Sequence, residues 1–516
     1  MTKDHPILHK IKDLIKENSN SIILVSLIFL LLLPLYLFKL DSIPTSVHGD
    51  EGETALQAIK IINSNFTLVG IGWYDLPLLS FVPHALFMLL FGKNIISNRL
   101  GSVFFGFLSL PIFYLLIKSL FNKKFALISV ILLGTSHLWL ALSRVGITYV
   151  QSTFFILIVS FTLFKGLETN KKIYFLTSGA LLGLSMYSNF AVRLLPILVL
   201  LFFVNYFFKK GLSKYALLNF LLFSIVSLTV FLPQAIFYLH NPQTFSSREK
   251  DIFVFSKEAK KWTGYSNMNN VEILFRQTER TLNIFAGDTS GQYGYKGQLL
   301  DDFSIILFLL GICYGLNNIK SFKYQFVFLW LLLSIAGQVF SSIPPPIFLP
   351  RFVVGLPVLY FFISIGLVGL LDIFKKTLKI KTIHEYSVII FLLVLFSMYN
   401  IFIYFVNYPK QVMGDPNARA ATKISAILNG GFNTAYFYTQ PYLYADFGTL
   451  RFLSPSVERI NENHSNPKFY KTLGSIYIVY PEYENLILML SSQMPNGKLQ
   501  EIKDVNGEIQ FYTFAP

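Results

Sequence analysis

The stretch SIILVSLIFLLLLPLYLFKL, residues 21–40, followed at once by DSIPTSVHGDEGE, residues 41–53, decides the fold. About 20 predominantly apolar residues cross a bilayer as a helix, and residues 21–40 meet that requirement. Residues 1–20 are polar and basic, the apolar run is too long for a signal-peptide core, and no small-residue cleavage site follows it. The run reads as a retained first span, with Asp50, Glu51 and Glu53 arriving just beyond its far end.

Ten further segments carry the same signature: 98–117, 124–142, 149–166, 173–190, 193–208, 214–239, 301–317, 324–341, 350–371 and 386–406. With the N-terminus inside, the inner connections carry Lys118, Lys123 and Lys124, then Lys165, Lys171 and Lys172, then Lys209, Lys210 and Lys214. Lys320 and Lys323 follow, then Lys375, Lys376, Lys379 and Lys381, while the short outer connections hold no lysine. That asymmetry is the positive-inside pattern. Residues 76–92, LPLLSFVPHALFMLLFG, are apolar but short, and Pro77 and Pro83 interrupt them. They read as an interfacial or re-entrant helix within a first outer loop, 41–97.

The expectation is therefore an α-helical polytopic membrane protein of about 11 transmembrane helices, N-in and C-out, multi-pass in the cytoplasmic membrane. Residues 1–20 form its cytoplasmic N-terminus, 21–406 its membrane domain with long outer loops 41–97 and 240–300, and 407–516 a small extracytoplasmic α/β domain. In the last of these, 417–429 read as a helix, 434–439 and 475–480 as strands, and 499–504 with 508–514 as a hairpin turning at Asn506-Gly507.

Composition agrees with this class. The chain is 53% hydrophobic and 14% charged over 516 residues, against about 25% charged in soluble domains. A net charge of +15 would suggest nucleic acid in a soluble protein; here the lysine loops account for it, and no nucleic-acid partner is expected. The single cysteine, Cys313, excludes a disulfide framework and reads as a packed small apolar residue.

The chemistry gathers on the outer side. Asp50 reads as the N-cap of a helix through TALQAIKIINSNF, with Glu53 at the capping-box position. A carboxylate held at the lipid boundary suits a general base toward an acceptor hydroxyl or amine. Ligation of a divalent cation with Glu51 or His48 is the weaker reading, so no metal or other cofactor is expected. Arginines, nearly absent from the inner loops, stand at outer span ends: Arg99, Arg144, Arg193 and Arg351, with Arg276 and Arg280 in the 240–300 loop. Guanidinium forks match phosphate, whereas snorkelling and helix capping are the bland alternatives. Arg351 follows a proline-rich loop, 343–350. The 240–300 loop, with Gly287-Asp288 before GQYGYKG, suits a lid or acceptor groove, or merely an aromatic interfacial belt.

In this order the motifs resemble those of GT-C fold glycosyltransferases, in particular the protein O-mannosyltransferase and aminoarabinose-transferase-like superfamily. The matching residues are Asp50-Glu51 after the first span, Leu90-Phe91-Gly92 leading to Asn98-Arg99-Leu100, and Ser143-Arg144 at the end of the third span. Gly183 to Tyr187 with Arg193 to Pro196, then Arg351 with Pro357, complete the set, which covers about 45–370.

The resemblance implies transfer of a sugar from a polyprenyl-phosphate donor to a protein, lipid or cell-wall acceptor on the extracytoplasmic face. Asp50 would be the base for inverting attack, Glu51 its support, and Arg99, Arg144, Arg193 and Arg351 the phosphate contacts. Val145-Gly-Ile-Thr-Tyr149 lacks the second acid some relatives carry there, which leaves Asp75 or Asp288 as candidates for a second carboxylate. The competing classes are a transporter or flippase of a lipid-linked saccharide and a non-catalytic assembly subunit. Spans nearly free of charge at mid-depth favour interfacial catalysis over transport. The topology predicts that a reporter fused after Phe405 is active only outside; activity in the cytoplasm would mean that 76–92 crosses or that another span is miscounted.

Overall fold

The structure, a computed structural model, describes residues 23–64, 67–211, 213–283, 285, 287, 293, 298–341, 349–378, 382–410 and 415–516. Every segment read as a span contains helix. In chain order these are α1 (Ile23–Leu37), then α2 (Gly49–Asn63) and α3 (Val82–Phe91) beyond the first span, α4 (Ile95–Leu120), α5 (Lys123–Thr135), α6 (His137–Arg144), α7 (Tyr149–Thr169), α8 (Lys172–Ser185), α9 (Leu194–Lys210) and α10 (Lys214–His240). Three helices, α11 (Pro242–Ile252), α12 (Lys257–Thr263) and α13 (Asn270–Asn283), occupy the long loop. The bundle continues with α14 (Asp302–Asn317), α15 (Phe322–Phe340), α16 (Leu356–Leu378) and α17 (Thr382–Phe402), which runs through a π-helical stretch into α18 (Tyr408–Lys410).

Length separates these helices. Among the described residues, seven are long and apolar enough to cross a bilayer, or eight if the bent pair α5–α6 counts as one span. The fourteen residues of α8 and sixteen of α14 rise only about 21–24 Å, short of a core about 30 Å thick. The segment 124–142 is not one straight span: the chain bends by 60° at Ser136, whose side chain accepts from Trp139 N and restarts the helix as α6. Residues 76–92 form a 3₁₀ turn and the ten-residue α3, about 15 Å long and too short to cross.

Burial orders the bundle. The apolar stretch within 350–375, which holds most of α16, is almost wholly buried, whereas α10 and the stretch within 386–410 are mostly uncovered. A helix apolar all round belongs at the centre, so α16 is the hub and α10 and α17 face outward. Close approach to the hub requires glycine: a Cβ on Gly311 of α14 or Gly366 of α16 would fall within 2 Å of the partner's carbonyl oxygen. Gly179 and Gly183 similarly let α8 lie against the backbone of α10. Cys313 is exposed on α14, contrary to the packed position its apolar run suggests.

The C-terminal part is a five-stranded mixed sheet, ordered β2-β1-β3-β5-β4. It comprises α19 (Pro416–Leu428), β1 (Thr434–Tyr438), α20 (Gly448–Leu453), β2 (Glu458–Asn461), β3 (Ser475–Val479), α21 (Asn485–Gln493), β4 (Lys498–Lys503) and β5 (Ile509–Ala515). Strands β2, β1 and β3 run parallel, and the β4–β5 hairpin pairs antiparallel to β3. Its turn places Gly507 at φ 85°, as the Asn-Gly pair requires.

This sheet domain grips α2. Gly52 meets the Gly448 backbone so closely that a Cβ would stand 2.4 Å from its carbonyl, and Gly49 lies under the Phe447 ring. Val47 N donates to Thr422 Oγ1 (3.0 Å), Thr449 Oγ1 donates to Val47 O (2.8 Å), and Arg451 pairs with Glu53 (3.0 Å). We expect Gly52→Ala to cost about 2 kcal/mol by overpacking this contact. The readouts are a lower Tm and faster tryptic cleavage at Lys410; unchanged values would mean that α2 and α20 separate without penalty.

Candidate active site

Asp50 begins α2, but His48 is the N-cap: its Nδ1 accepts from Asp50 N (3.1 Å). The expected capping box with Glu53 is therefore absent, and Glu53 is spent on Arg451. Relieved of capping, the Asp50 carboxylate is 33% exposed and accepts a hydrogen bond from Tyr293 Oη at 2.5 Å. Burial, and then the charge of Asp50, raise the Tyr293 phenol well above its ordinary pKa, so at neutral pH it stays protonated and donating. The Tyr149 hydroxyl meets Tyr293 at 3.2 Å, Tyr408 Oη donates to the Tyr293 carbonyl (2.7 Å), and the His48 ring packs edge-on against it (4.6 Å).

Glu51 points the other way. It is 1% exposed and accepts from Arg99 Nε at 2.7 Å, from Arg99 Nη2 at 3.3 Å and from Gly146 N at 3.1 Å. Asn98 Nδ2 donates to the Glu51 backbone carbonyl (3.1 Å). A capping box between Asn94 and Ser97 fixes the start of α4, which sets Asn98 and Arg99 in its first turn beside α2. Arg99 spends its remaining donors on the carbonyls of Leu40, Pro44 and Ser46. It is fully buried, so the phosphate contact expected of it does not fit: its fork ties the 40–51 segment to α4.

Arg144 is committed in the same way. Its guanidinium donates to the carbonyls of Leu35 (2.6 Å), Phe38 (2.6 Å), Lys39 (3.3 Å) and Ile43 (3.1 Å), and Nε donates to Tyr404 Oη (3.1 Å). It satisfies carbonyls that the end of α1 leaves open, which is the capping alternative and not phosphate binding. Arg193 donates to the Phe245 carbonyl (2.9 Å), pairs with Glu249 and packs over the Phe190 and Phe245 rings, fastening α11 to the bundle.

Arg351 is placed differently. It lies at the start of the α16 segment, within electrostatic reach of Arg248, Tyr149, Tyr293 and Tyr74. The charges of Asp50, Arg248 and Arg351 all reach the Tyr149 hydroxyl, so the two arginines and the Asp50 carboxylate lie around one tyrosine. Arg248 stands 4.3 Å over the Tyr74 ring. Two guanidinium groups brought together repel, and an anion between them removes that cost.

Arg248, Tyr149 and Tyr293 are absent from the sequence-derived set. The aromatic and basic character of 240–300 was their signal, but it does not separate Arg248 from Arg276 and Arg280. Those two lie on α13, against Glu272 and Tyr265 respectively. Asp75 sits in a left-handed turn (φ 57°), next to Tyr74. Asp288 and most of the 343–350 loop lie outside the described residues. Among the described residues no three His, Cys, Asp or Glu side chains gather as a metal site.

The Glu51–Arg99 pair sets an expectation for stability. Glu51→Ala leaves a buried guanidinium unpaired and should cost about 3–5 kcal/mol. Asp50→Asn, at a part-exposed position, should change stability by less than about 1 kcal/mol. Denaturant unfolding of both variants checks the contrast; equal losses would contradict the division between a structural and an available carboxylate.

Residues 75–237 match the family described as dolichyl-phosphate-mannose-protein mannosyltransferase. No curated protein matches by sequence. Among solved structures the chain is similar to ArnT from Cupriavidus metallidurans in the apo state, at 12% identity and TM-score 0.54, over 96% of this chain and 98% of that one. The undecaprenyl phosphate-bound form of that protein gives 11% and 0.52, over 95% and 97%. The archaeal oligosaccharyltransferase AglB from Archaeoglobus fulgidus, in complex with an inhibitory peptide and a dolichol-phosphate, gives 12% and 0.54, over 94% of this chain and 70% of that one. At these identities the likeness speaks to the fold: this multi-pass membrane chain has the GT-C fold of membrane glycosyltransferases.

Proposed function

We propose that the protein is a membrane glycosyltransferase that moves a sugar from a polyprenyl-phosphate carrier to an acceptor on the extracytoplasmic face, with inversion and with Asp50 as general base. The observation that carries this reading is the part-exposed Asp50 carboxylate, held by Tyr293 in contact with Tyr149, with Arg248 and Arg351 in electrostatic reach of Tyr149. ArnT and AglB, which share the fold, have been solved with undecaprenyl phosphate and dolichol-phosphate respectively.

In the proposed reaction Asp50 takes the acceptor's proton as its oxygen attacks the anomeric carbon. The bond from that carbon to the phosphate oxygen breaks, and the lipid phosphate leaves with one more negative charge. Arg248 and Arg351 stabilise that growing charge, a role for which positioned cations are most effective in a water-poor site. Tyr293 holds the Asp50 carboxylate in one orientation through its 2.5 Å hydrogen bond. Arg99, Arg144 and Arg193 serve as braces, and Glu51 fixes the helix that carries Asp50. The proposal assigns charge neutralisation to arginine and calls on no resident metal.

Asp50→Asn is expected to lower transfer by at least about 1,000-fold, while membrane insertion and Tm are kept. Arg351→Ala should raise the donor KM and lower kcat together, and Arg144→Lys should mainly lower stability. The check is turnover of a radiolabelled polyprenyl-phosphate sugar by purified protein. Retained turnover in Asp50→Asn would overturn the base assignment, and metal-restorable loss on EDTA treatment would overturn the arginine-only charge assignment.

A further inference from the structure

A cleft of about 550 Å³ opens near Asp50, walled by α2, the Trp73–Asp75 turn and α20 of the sheet domain. Its polar lining comes from Glu53, Gln57 and Lys60, which follow one another along one face of α2, and from Arg451. Trp73 supplies an aromatic wall. Glu53 lies three residues beyond Asp50, about 4.5 Å along the helix axis, and feels the Asp50 charge. Burial raises the Glu53 pKa, with the Arg451 cation opposing that shift.

The turn that brings Trp73 here is strained. Tyr74 and Asp75 have φ of 61° and 57°, a left-handed conformation that costs an ordinary residue about 1 kcal/mol or more. The gain is a division of labour: Trp73 faces the cleft while Tyr74 carries Arg248 over its ring. The two rings touch, with centroids 5.3 Å apart. The cleft and the arginine pair are thus joined through consecutive residues.

We infer that this cleft binds the acceptor, and that the acceptor's bound end is a saccharide. The inference rests on the transferase reading and names the substrate class of its second site. A sugar ring offers an apolar C–H face and a rim of hydroxyls that both donate and accept. The cleft answers with one aromatic wall, an amide that both donates and accepts (Gln57), the Lys60 ammonium, and the Glu53–Arg451 pair, whose groups keep further lone pairs and N–H donors beyond the bond they share. Its volume of about 550 Å³ lies in the range of small-ligand sites. Arg451 comes from the sheet domain, so that domain completes the acceptor site as well as gripping α2.

The test is saturation-transfer NMR on the purified full chain in nanodiscs, with mannobiose, N,N′-diacetylchitobiose and a Ser/Thr hexapeptide as probes. We expect a disaccharide to bind, Trp73→Ala and Gln57→Leu each to weaken it about tenfold, and Trp73→Phe to stay within about threefold of wild type. Disaccharide affinity unchanged in both variants would overturn the inference, as would a hexapeptide that binds and is lost in Trp73→Ala while neither sugar binds. Binding needs no turnover. A chain that holds the disaccharide through Trp73 yet keeps transfer activity in Asp50→Asn would refute the catalytic assignment and leave the cleft intact.

Discussion

The buried pair between Glu51 and Arg99 is the constraint on which the rest of the site depends. Neither side chain has access to solvent, and each charge is tolerable only because the other, with Gly146 N and three backbone carbonyls, surrounds it. The pair locks the start of α2 to the start of α4 and draws the 40–46 segment around both. Because Glu51 faces inward, its neighbour Asp50, about 100° around the helix, faces Tyr293. Arg144 repeats the device one layer away by closing the end of α1. Two of the outer arginines, Arg99 and Arg144, are thus joints of the scaffold.

The same economy explains the sheet domain. A lone helix start at a membrane surface has little to hold it. Here Thr422, Thr449, Arg451 and the Gly448 backbone close over residues 47–53 from one side, while α4 and the 145–147 segment close from the other. The proposed base is therefore carried on a rigid element clasped between two bodies, as precise chemistry requires.

Much of this architecture is legible in the sequence, and the limits are physical. The lysine loops and apolar lengths locate the helical segments, and the interruption read in 76–92 appears as a helix of only ten residues. The strands at 434–438 and 475–479 follow from short runs of aromatic and β-branched residues, and the Asn506-Gly507 hairpin from turn chemistry. The bend at Ser136 is hidden because its apolar pattern is unbroken, and β2, whose residues 458–461 read ERIN, shows no apolar alternation. Asp50 and Glu51 stand out as a pair, but which faces inward depends on Arg99, 48 residues away. Arginine at a span end carries no sign of whether backbone carbonyls will fill its fork, as they do at Arg144. Arg248, Tyr149 and Tyr293 converge from three distant segments, and no local pattern marks them.

The proposed transfer places the lipid phosphate between Arg248 and Arg351, in reach of Asp50. An electron cryomicroscopy structure with bound undecaprenyl phosphate is the test. The expected result is phosphate density bridging those two guanidinium groups, with the Glu51–Arg99 pair and the Arg144 carbonyl contacts undisturbed. Phosphate density at Arg99 or Arg144, with their internal bonds broken, would contradict it.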